Sequence, residues 1–467
     1  MGLLTYLFSV RYMVGEGDRL GELPTSKEGY RRYIQVAWPA VVEYLLFSLV
    51  SSVDVMMVGV LGKVAVSAVG LSNQPRLILL SIVRSMTVGV TAITARRRGQ
   101  EDQEGANLCL RQSLLLCGMV TAVTTAIGLI GADAIFSYMG GEPAVQQAAK
   151  EYFQVVMIGN IFASFTITIN AAQRGVGRTK IAMATNTAAN LVNVVFNYFL
   201  IEGNFGFPRL GVRGAAIATA LGHLVALGLA VHSLCRRGGF LSLRRGGSWR
   251  LEKETVGLIA RVSSGALMEQ AGTRLGMLLY VKIVNGLGTA AFAAHQICMT
   301  FTDILFSVGE ALGVAASAFT GRYLGAGRPD LSMVYGRIGL RCTVVLSIVT
   351  CPLVYVFREG LMRIYSSEAD VIALGEDVFV VVALSGVFVI ANSLYAGALR
   401  GAGDVNFVGV SSLIGFFVVR PVVSYLLCYP AGIGLIGAWI GLAVDYLVRF
   451  ALYYVRFNRG RWTSIRV

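Results

Sequence analysis

Apolar residues in this chain run in long blocks rather than alternating with polar ones. Twelve such blocks can be marked, at 34–58, 64–95, 107–131, 150–172, 181–202, 213–236, 255–284, 290–318, 333–357, 370–399, 404–428 and 433–456. A helix crossing about 30 Å of hydrocarbon needs roughly 20 mostly apolar residues, and each block reaches that length. The blocks are rich in Val, Ala, Leu and Ile and break at Gly, Pro and charge clusters. Backbone groups in lipid must be satisfied within the spanning structure, so runs of this kind predict helices, not barrel strands.

Composition supports the same reading. Of 467 residues, 55% are hydrophobic and only 14% are charged, against about 25% charged in ordinary soluble domains. Too few charges remain to coat a soluble surface, and mean hydropathy is +0.67. The fold class expected is therefore all-α and integral to the membrane. The apolar piece at 3–10 is short, has no leading charges and lacks a small-residue cleavage site, so it reads as an arm on the membrane surface rather than a secretory signal.

The formal charge of +14 poses the next question, because a basic chain can serve nucleic acid, an anionic membrane or cytoplasmic loops. With the N-terminus placed in the cytoplasm and cations toward the block ends assigned to the side they adjoin, 29 of the 40 Lys and Arg residues belong to the cytoplasmic side, 7 to the outer side and 4 (Arg76, Arg84, Arg274 and Arg420) to the interior of spans. That asymmetry predicts cytoplasmic termini, an even number of spans, a multi-pass protein of the cell membrane and no nucleic-acid partner. The seven cysteines are scattered, and His223, His232 and His295 form no metal-binding motif. Metal-dependent hydrolysis and cysteine nucleophiles thus have no support, and neither an enzyme nor a cofactor is expected.

The two halves match each other. Thr94 in "TARRRGQED" lies over Thr320 in "TGRYLGAGRPD", Gly62 over Gly288, Glu43 over Glu269, and Arg174-Gly175 over Arg400-Gly401, all at an offset of 226. "GVRGAAIA" from Gly211 pairs with "GLIGAWIG" from Gly434 at 223. Six spans per half give both halves the same topology. The expectation is two six-helix lobes related by a pseudo-twofold axis along the membrane normal. The segments read as an arm at 1–33, an N-lobe at 34–236, a polar linker at 237–254, a C-lobe at 255–456 and a tail at 457–467.

Ionisable and amide groups inside spans are costly unless paired or solvated, which makes them the first functional candidates. In helix one, Glu43 and Asp54 are 11 residues apart and share a face. A buried acid such as Asp54 can load and release a proton. Helix five carries Asn186, Asn190, Asn193 and Asn197 at steps of 4, 3 and 4, one stripe that either glues helices or supplies amide oxygens to a cation. Glu269 stands in helix seven, and helix eight places Gln296, Asp303 and Glu310 on one face. Arg76, Arg84, Arg274 and Arg420 are the candidate charge partners. Aromatic and Met residues within spans, among them Tyr44, Phe47, Met56, Tyr198, Met268, Tyr280 and Phe388, either line a cavity for flat hydrophobic ligands or pack. No nucleotide-binding loop is present, so an ion gradient is the expected energy source.

Taken in order, Pro39 with Asp54 and "VGVLG", "NLVNVVFNY", Glu269, "AAHQI", "GRYLGAGRPD" and "ALRGAGD" resemble the multidrug and toxic-compound extrusion (MATE) family over about 30–460. The resemblance implies export of amphipathic, cationic drugs or toxic metabolites by antiport with H+ or Na+. It implies Asp54 and Glu269 as coupling acids, with Asn190, Asn193 and Asn197 beside Asp54. A Na+ could then sit at Asp54, Asn193 and Asn197, while Glu43, Gln296, Asp303, Glu310, Asn392 and Tyr280 line the substrate pathway. A monomer among membrane lipids is expected. Two departures stand out: some subfamilies have Asp where helix five has Asn197, and others have an acid in helix ten, where Val389 and Asn392 stand here. The coupling ion is left open, and so is a second reading, a flippase for a lipid-linked sugar from the same superfamily.

Overall fold

A computed structural model describes residues 8–139, 143–236, 238–244 and 246–465, without the side chains of residues 51, 52, 55 and 63. Of the sequence features above, the Lys63 side chain, Arg237, Arg245, Arg466 and the start of the 3–10 stretch lie outside the described residues.

Long apolar blocks become long helices. These are α1 (Ser26–Gly59), α2 (Lys63–Gly99), α3 (Gln103–Met139), α4 (Pro143–Gly175), α5 (Thr179–Leu200), α6 (Gly211–Cys235), α7 (Lys253–Asn285), α8 (Thr289–Gly325), α9 (Pro329–Val356), α10 (Ala369–Ala402), α11 (Val405–Cys428) and α12 (Leu435–Asn458). A short helix, Arg358–Tyr365, links α9 to α10, and no strand occurs among the described residues. Gly62 and Gly288, equivalent positions in the two halves, have φ of 88° and 104° and start α2 and α8. Glycine reaches that backbone region without a Cβ penalty.

Ten of the twelve are long and apolar enough to cross a membrane by length and composition. The other two are α5 and α7, of 22 and 33 residues. The reason is the polar cargo each carries: four asparagines in α5, and Arg261, Glu269 and Arg274 in α7. Several helices also overrun the apolar blocks. α1 begins at Ser26, so it takes in the end of the segment read as an arm, because hydropathy marks the lipid-facing length and not the hydrogen-bonded length.

The chain forms two compact units, one made of residues up to Val41 together with Ser264–Val467, the other of Val42–Ser263. Residues 8–25 do not lie free as a membrane-surface arm. Val10, Met13 and Val14 are at most 5% exposed and join the apolar core of the first unit with Tyr33, Tyr335 and Ile338. Burial of three apolar side chains outweighs what a lone short arm would gain at a lipid surface.

Helices inside each unit approach closely where small residues face each other, as expected where apolar burial alone does not drive association. In the first unit Gly309 and Gly313 of α8 meet Ile390, Ser393 and Gly397 of α10, and Gly401 meets Ser317. In the second, Gly159 meets Ala220 and Gly222 meets Ala189. A Cβ at Gly397 would collide with the Gly313 backbone, which no rotamer change relieves. Gly397→Val is therefore expected to destabilise the unit by about 1–3 kcal/mol. Fluorescence-detected size exclusion after heating checks this, and an unchanged monodisperse fraction would count against such close α8–α10 packing.

Candidate functional site

Three of the four asparagines on α5 divide between two carboxylates of α1. Asn186 Nδ2 donates to Glu43 Oε1 at 2.6 Å, and Arg174 Nη1 at the end of α4 donates to the same oxygen at 2.9 Å. Glu43 is 8% exposed, and its Oε2 has no partner among the described residues. Asn197 Nδ2 donates to Asp54 Oδ1 at 2.8 Å. Asn193 spans from Asp54 to Thr219 of α6. The orientation that satisfies both ends has its nitrogen donating to Asp54 Oδ1 (2.6 Å) and Oδ2 (3.1 Å), and its oxygen accepting from Thr219 N and Oγ1 at 3.2 and 3.1 Å. Asn190 lies between the two pairs and makes no side-chain hydrogen bond among the described residues.

The two acids differ in countercharge. Glu43 is ion-paired, whereas Asp54 has no ion pair among the described residues. Arg76 of α2 is within electrostatic range of Asp54, but its Nε is turned to Asn160 Oδ1 at 3.2 Å. Asp54 is thus a half-buried carboxylate held by amide donors, with a neighbouring cation occupied elsewhere. Such a group can gain or lose a charge without breaking a salt bridge. Beside it, Asn197 Oδ1 is buried and has no partner among the described residues.

In the other unit the duplicated pair recurs. Arg400 Nη2 lies 3.9 Å from Glu269 Oε1 and 3.4 Å from Glu310 Oε1, so one guanidinium faces two carboxylates. Arg174 and Arg400 stand at equivalent positions, as do Glu43 and Glu269, so each repeat sets the acid of its first helix against the arginine ending its fourth. The partners expected from sequence were Arg76, Arg84, Arg274 and Arg420; the structure uses Arg174 and Arg400 instead. Both follow the apolar blocks, where an arginine reads as cytoplasmic, and helices that extend past those blocks to Gly175 and Ala402 carry them alongside the acids.

The remaining candidates are spread out. Asp303 and Gln296 are exposed on α8, and Asp303 has no hydrogen-bonding or ion-pair partner among the described residues. Asn392 is buried in α10. Tyr280 occupies the position equivalent to Asp54; it is fully buried, with its hydroxyl unpartnered and its ring edge-on to His295.

One constellation escaped sequence reasoning. Asp445 of α12 is fully buried between Arg420 of α11 and Arg449 of α12. Arg420 Nε and Nη2 donate to Oδ2 at 3.0 and 2.6 Å, and Arg449 Nε and Nη2 donate to Oδ1 and Oδ2 at 2.7 and 2.8 Å. Both guanidinium groups lie over the Phe416 ring, at 4.6 and 4.4 Å. A six-residue π-helical stretch, Ile414–Val419, and Gly415, where a Cβ would meet Asp445 and Arg449, make the room. The available signal was Asp445 and Arg449 at i, i+4 within "GLAVDYLVRF".

Solved structures share this fold. A variant of the MATE transporter VcmN of Vibrio cholerae aligns with a TM-score of 0.86 at 19% identity, covering 94% of this chain and 99% of that one. A MOP superfamily transporter from Pyrococcus furiosus gives 0.85 at 20% identity, covering 94% and 97%. Polar clusters set into two duplicated bundles of long apolar helices define a polytopic membrane transporter. The MatE family model matches residues 39–199 and again 266–426, so the chain belongs to the MatE family and carries its repeat twice. A relative named a probable multidrug resistance protein NorM, from Thermotoga maritima, is 28% identical over 92% of this chain and 93% of its own length. An uncharacterized transporter, YisQ of Bacillus subtilis, is 23% identical over 91% and 94%.

Proposed function

We propose that this protein is a secondary active exporter of amphipathic organic cations, driven by antiport of a cation through alternating access of its two lobes. The observation that carries the reading is Asp54, an acid within a long apolar helix that is hydrogen-bonded by Asn193 and Asn197 and has no ion pair among the described residues. Asn197 presents its N–H to the carboxylate, and Asn193 does the same in the orientation that satisfies both of its ends, an arrangement that suits a proton better than Na+. Protonation would displace one donor, whereas a metal would require both amides to turn their oxygens inward. Glu43 and Glu269, each beside its arginine, would sense that change from the same helix or the equivalent one.

The substrate would pass the polar face of α8, where Asp303 offers a carboxylate with no partner among the described residues to a cation and Gln296 a neutral amide, with Glu310, Asn392 and Tyr280 further along the same unit. Both termini would lie in the cytoplasm of a multi-pass protein in the cell membrane, and no second subunit is needed. The test is uptake of a lipophilic monocation such as ethidium into proteoliposomes, with pH and sodium gradients imposed one at a time. Transport under the pH gradient alone is expected. Transport under sodium alone would overturn the proton assignment, and transport of a lipid-linked sugar with no response to either gradient would overturn the whole reading.

A further inference from the structure

Two stretches outside the twelve helices are folded against them. Residues 8–25 precede α1 and dock in the unit that holds α8 and α9. Arg337 Nη1 donates to the Met13 carbonyl, Arg328 Nη2 to the Glu22 carbonyl at 3.0 Å, and the Leu20 N–H donates to Asp330 Oδ2 at 3.2 Å. The segment read as a plain linker, here residues 238–244 and 246–252, precedes α7 and docks in the unit that holds α2 and α3. Gln103 donates to the carbonyls of Gly239 and Phe240 at 3.1 and 2.8 Å. Asn107 accepts from the Ser242 N–H at 2.7 Å, and Gln112 donates to the Arg250 carbonyl at 2.7 Å. Arg98 lies 4.3 Å over the Phe240 ring, and the Arg111 guanidinium fills the space a Cβ on Gly247 would take.

Several positions in these contacts are duplicated, although the individual contacts differ: Arg337 bonds Met13 and Arg328 lies against Gly21, whereas Arg111 lies against Gly247. Arg337 is the equivalent of Arg111, Gly21 of Gly247, and Lys27-Glu28 of Lys253-Glu254, all at the offset of 226. In each case the segment ahead of a repeat's first helix docks on the other repeat. It lands beside the second-to-third-helix turn, near Arg328 and Asp330 in one unit and near Gln103 and Asn107 in the other. Unit membership follows the same exchange, since the boundaries at 41/42 and 263/264 fall inside α1 and α7. Each of these helices starts in one unit and ends in the other. What recurs is the place of docking: in both units the segment meets the turn between the repeat's second and third helices and an arginine of that region, with a glycine at the equivalent position of the segment closely approached.

We infer that residues 8–25 and the described linker residues 238–244 and 246–252 are a duplicated pair of straps, and that Arg337 and Arg111 are positioning residues for transport. The straps hold the starts of α1 and α7 on the opposite unit throughout the cycle, so that movement between substrate-loading states is taken up inside α1 and α7, just ahead of Glu43 and Glu269. This role in transport rests on the exporter reading above; the docking of the straps does not.

Hydrogen–deuterium exchange of the full-length protein, paired with ethidium efflux from proteoliposomes, tests it. In the unaltered protein, strap exchange should be the same with and without saturating ethidium. In Arg111→Ala and Arg337→Ala, exchange in the strap concerned should rise about tenfold. Maximal efflux should fall at least about fivefold while half-saturation stays within about twofold, and Arg111→Lys should recover part of the rate. Gly247→Val, placed on the strap and outside the helices, should reproduce the Arg111→Ala result should that variant not fold. Wild-type efflux with an undocked strap, a proportional loss of affinity, or strap release on ethidium binding would each overturn the inference. If the unaltered protein shows no gradient-driven efflux, the exporter reading fails, while exchange still reports on the docking.

Discussion

Asp54→Asn is expected to reduce gradient-driven ethidium efflux to the level of protein-free vesicles while the protein stays folded and in the membrane. The substitution is isosteric and leaves the α1 backbone alone. It replaces a carboxylate that accepts from Asn193 and Asn197 with an amide that has a single acceptor oxygen, so one of the present donors faces another donor. Losing one such hydrogen bond costs about 1 kcal/mol, small beside a total stability of about 5–15 kcal/mol. The group can no longer change charge, so the gradient has nothing to act on at this position. Ethidium affinity, measured by fluorescence titration, should stay within about tenfold, or roughly 1.4 kcal/mol, since the proposed pathway runs along α8. Efflux at the wild-type rate from this variant would remove Asp54 from the coupling mechanism.

Asp445→Asn should be the most destabilising single substitution among the intramembrane polar residues. Arg420 and Arg449 are 3% and 6% exposed and share this one carboxylate. Neutralising it leaves two buried guanidinium groups without the carboxylate that bonds both of them. Breaking a buried ion pair from one side typically costs about 3–5 kcal/mol, because the surviving charge keeps its desolvation penalty. The measurement is the fraction that remains monodisperse after heating in detergent, and most of it should be lost. Removing all three charges, as Asp445→Leu with Arg420→Leu and Arg449→Met, should be milder than the single change, because no unpaired charge is left. If the single variant proves as stable as the parent, the triad is solvated and does not hold α11 to α12.

These two expectations rest on different kinds of legibility. Asp54 stands out in the sequence because an acid flanked by apolar residues on both sides is costly in lipid, whatever surrounds it. Its partners Asn193 and Asn197 were equally visible, as a stripe at helical spacing. The triad was not. Arg420 stands alone among apolar residues, and Asp445 and Arg449 lie close to the chain's basic end, where a cation reads as cytoplasmic. What joins them is a π-helical stretch and a missing Cβ at Gly415, and neither alters the hydropathy pattern.

The same division runs through the ion pairs. Glu43 with Glu269, and Arg174 with Arg400, could be matched as duplicates from sequence, yet nothing local said that the acids meet those arginines. The pairs span 131 residues in each half, Glu43 to Arg174 and Glu269 to Arg400, and α4 and α10 carry the arginines inward past the ends of their apolar blocks. The docked straps are invisible for a related reason. Their contacts are made largely to backbone carbonyls and N–H groups, which every sequence possesses.

By itself the sequence determined the membrane class, the helical character, the twofold repeat and the short roster of intramembrane polar residues. Each of these follows from transfer energies and periodicities that act along the chain, residue by residue. Only the tertiary structure decided which acid is clamped and which is free, where the buried triad sits, and that each repeat begins on the other repeat's unit. Those depend on distances between residues far apart in the chain, set by how helices pack through facing glycines and by how far each helix runs beyond its apolar core.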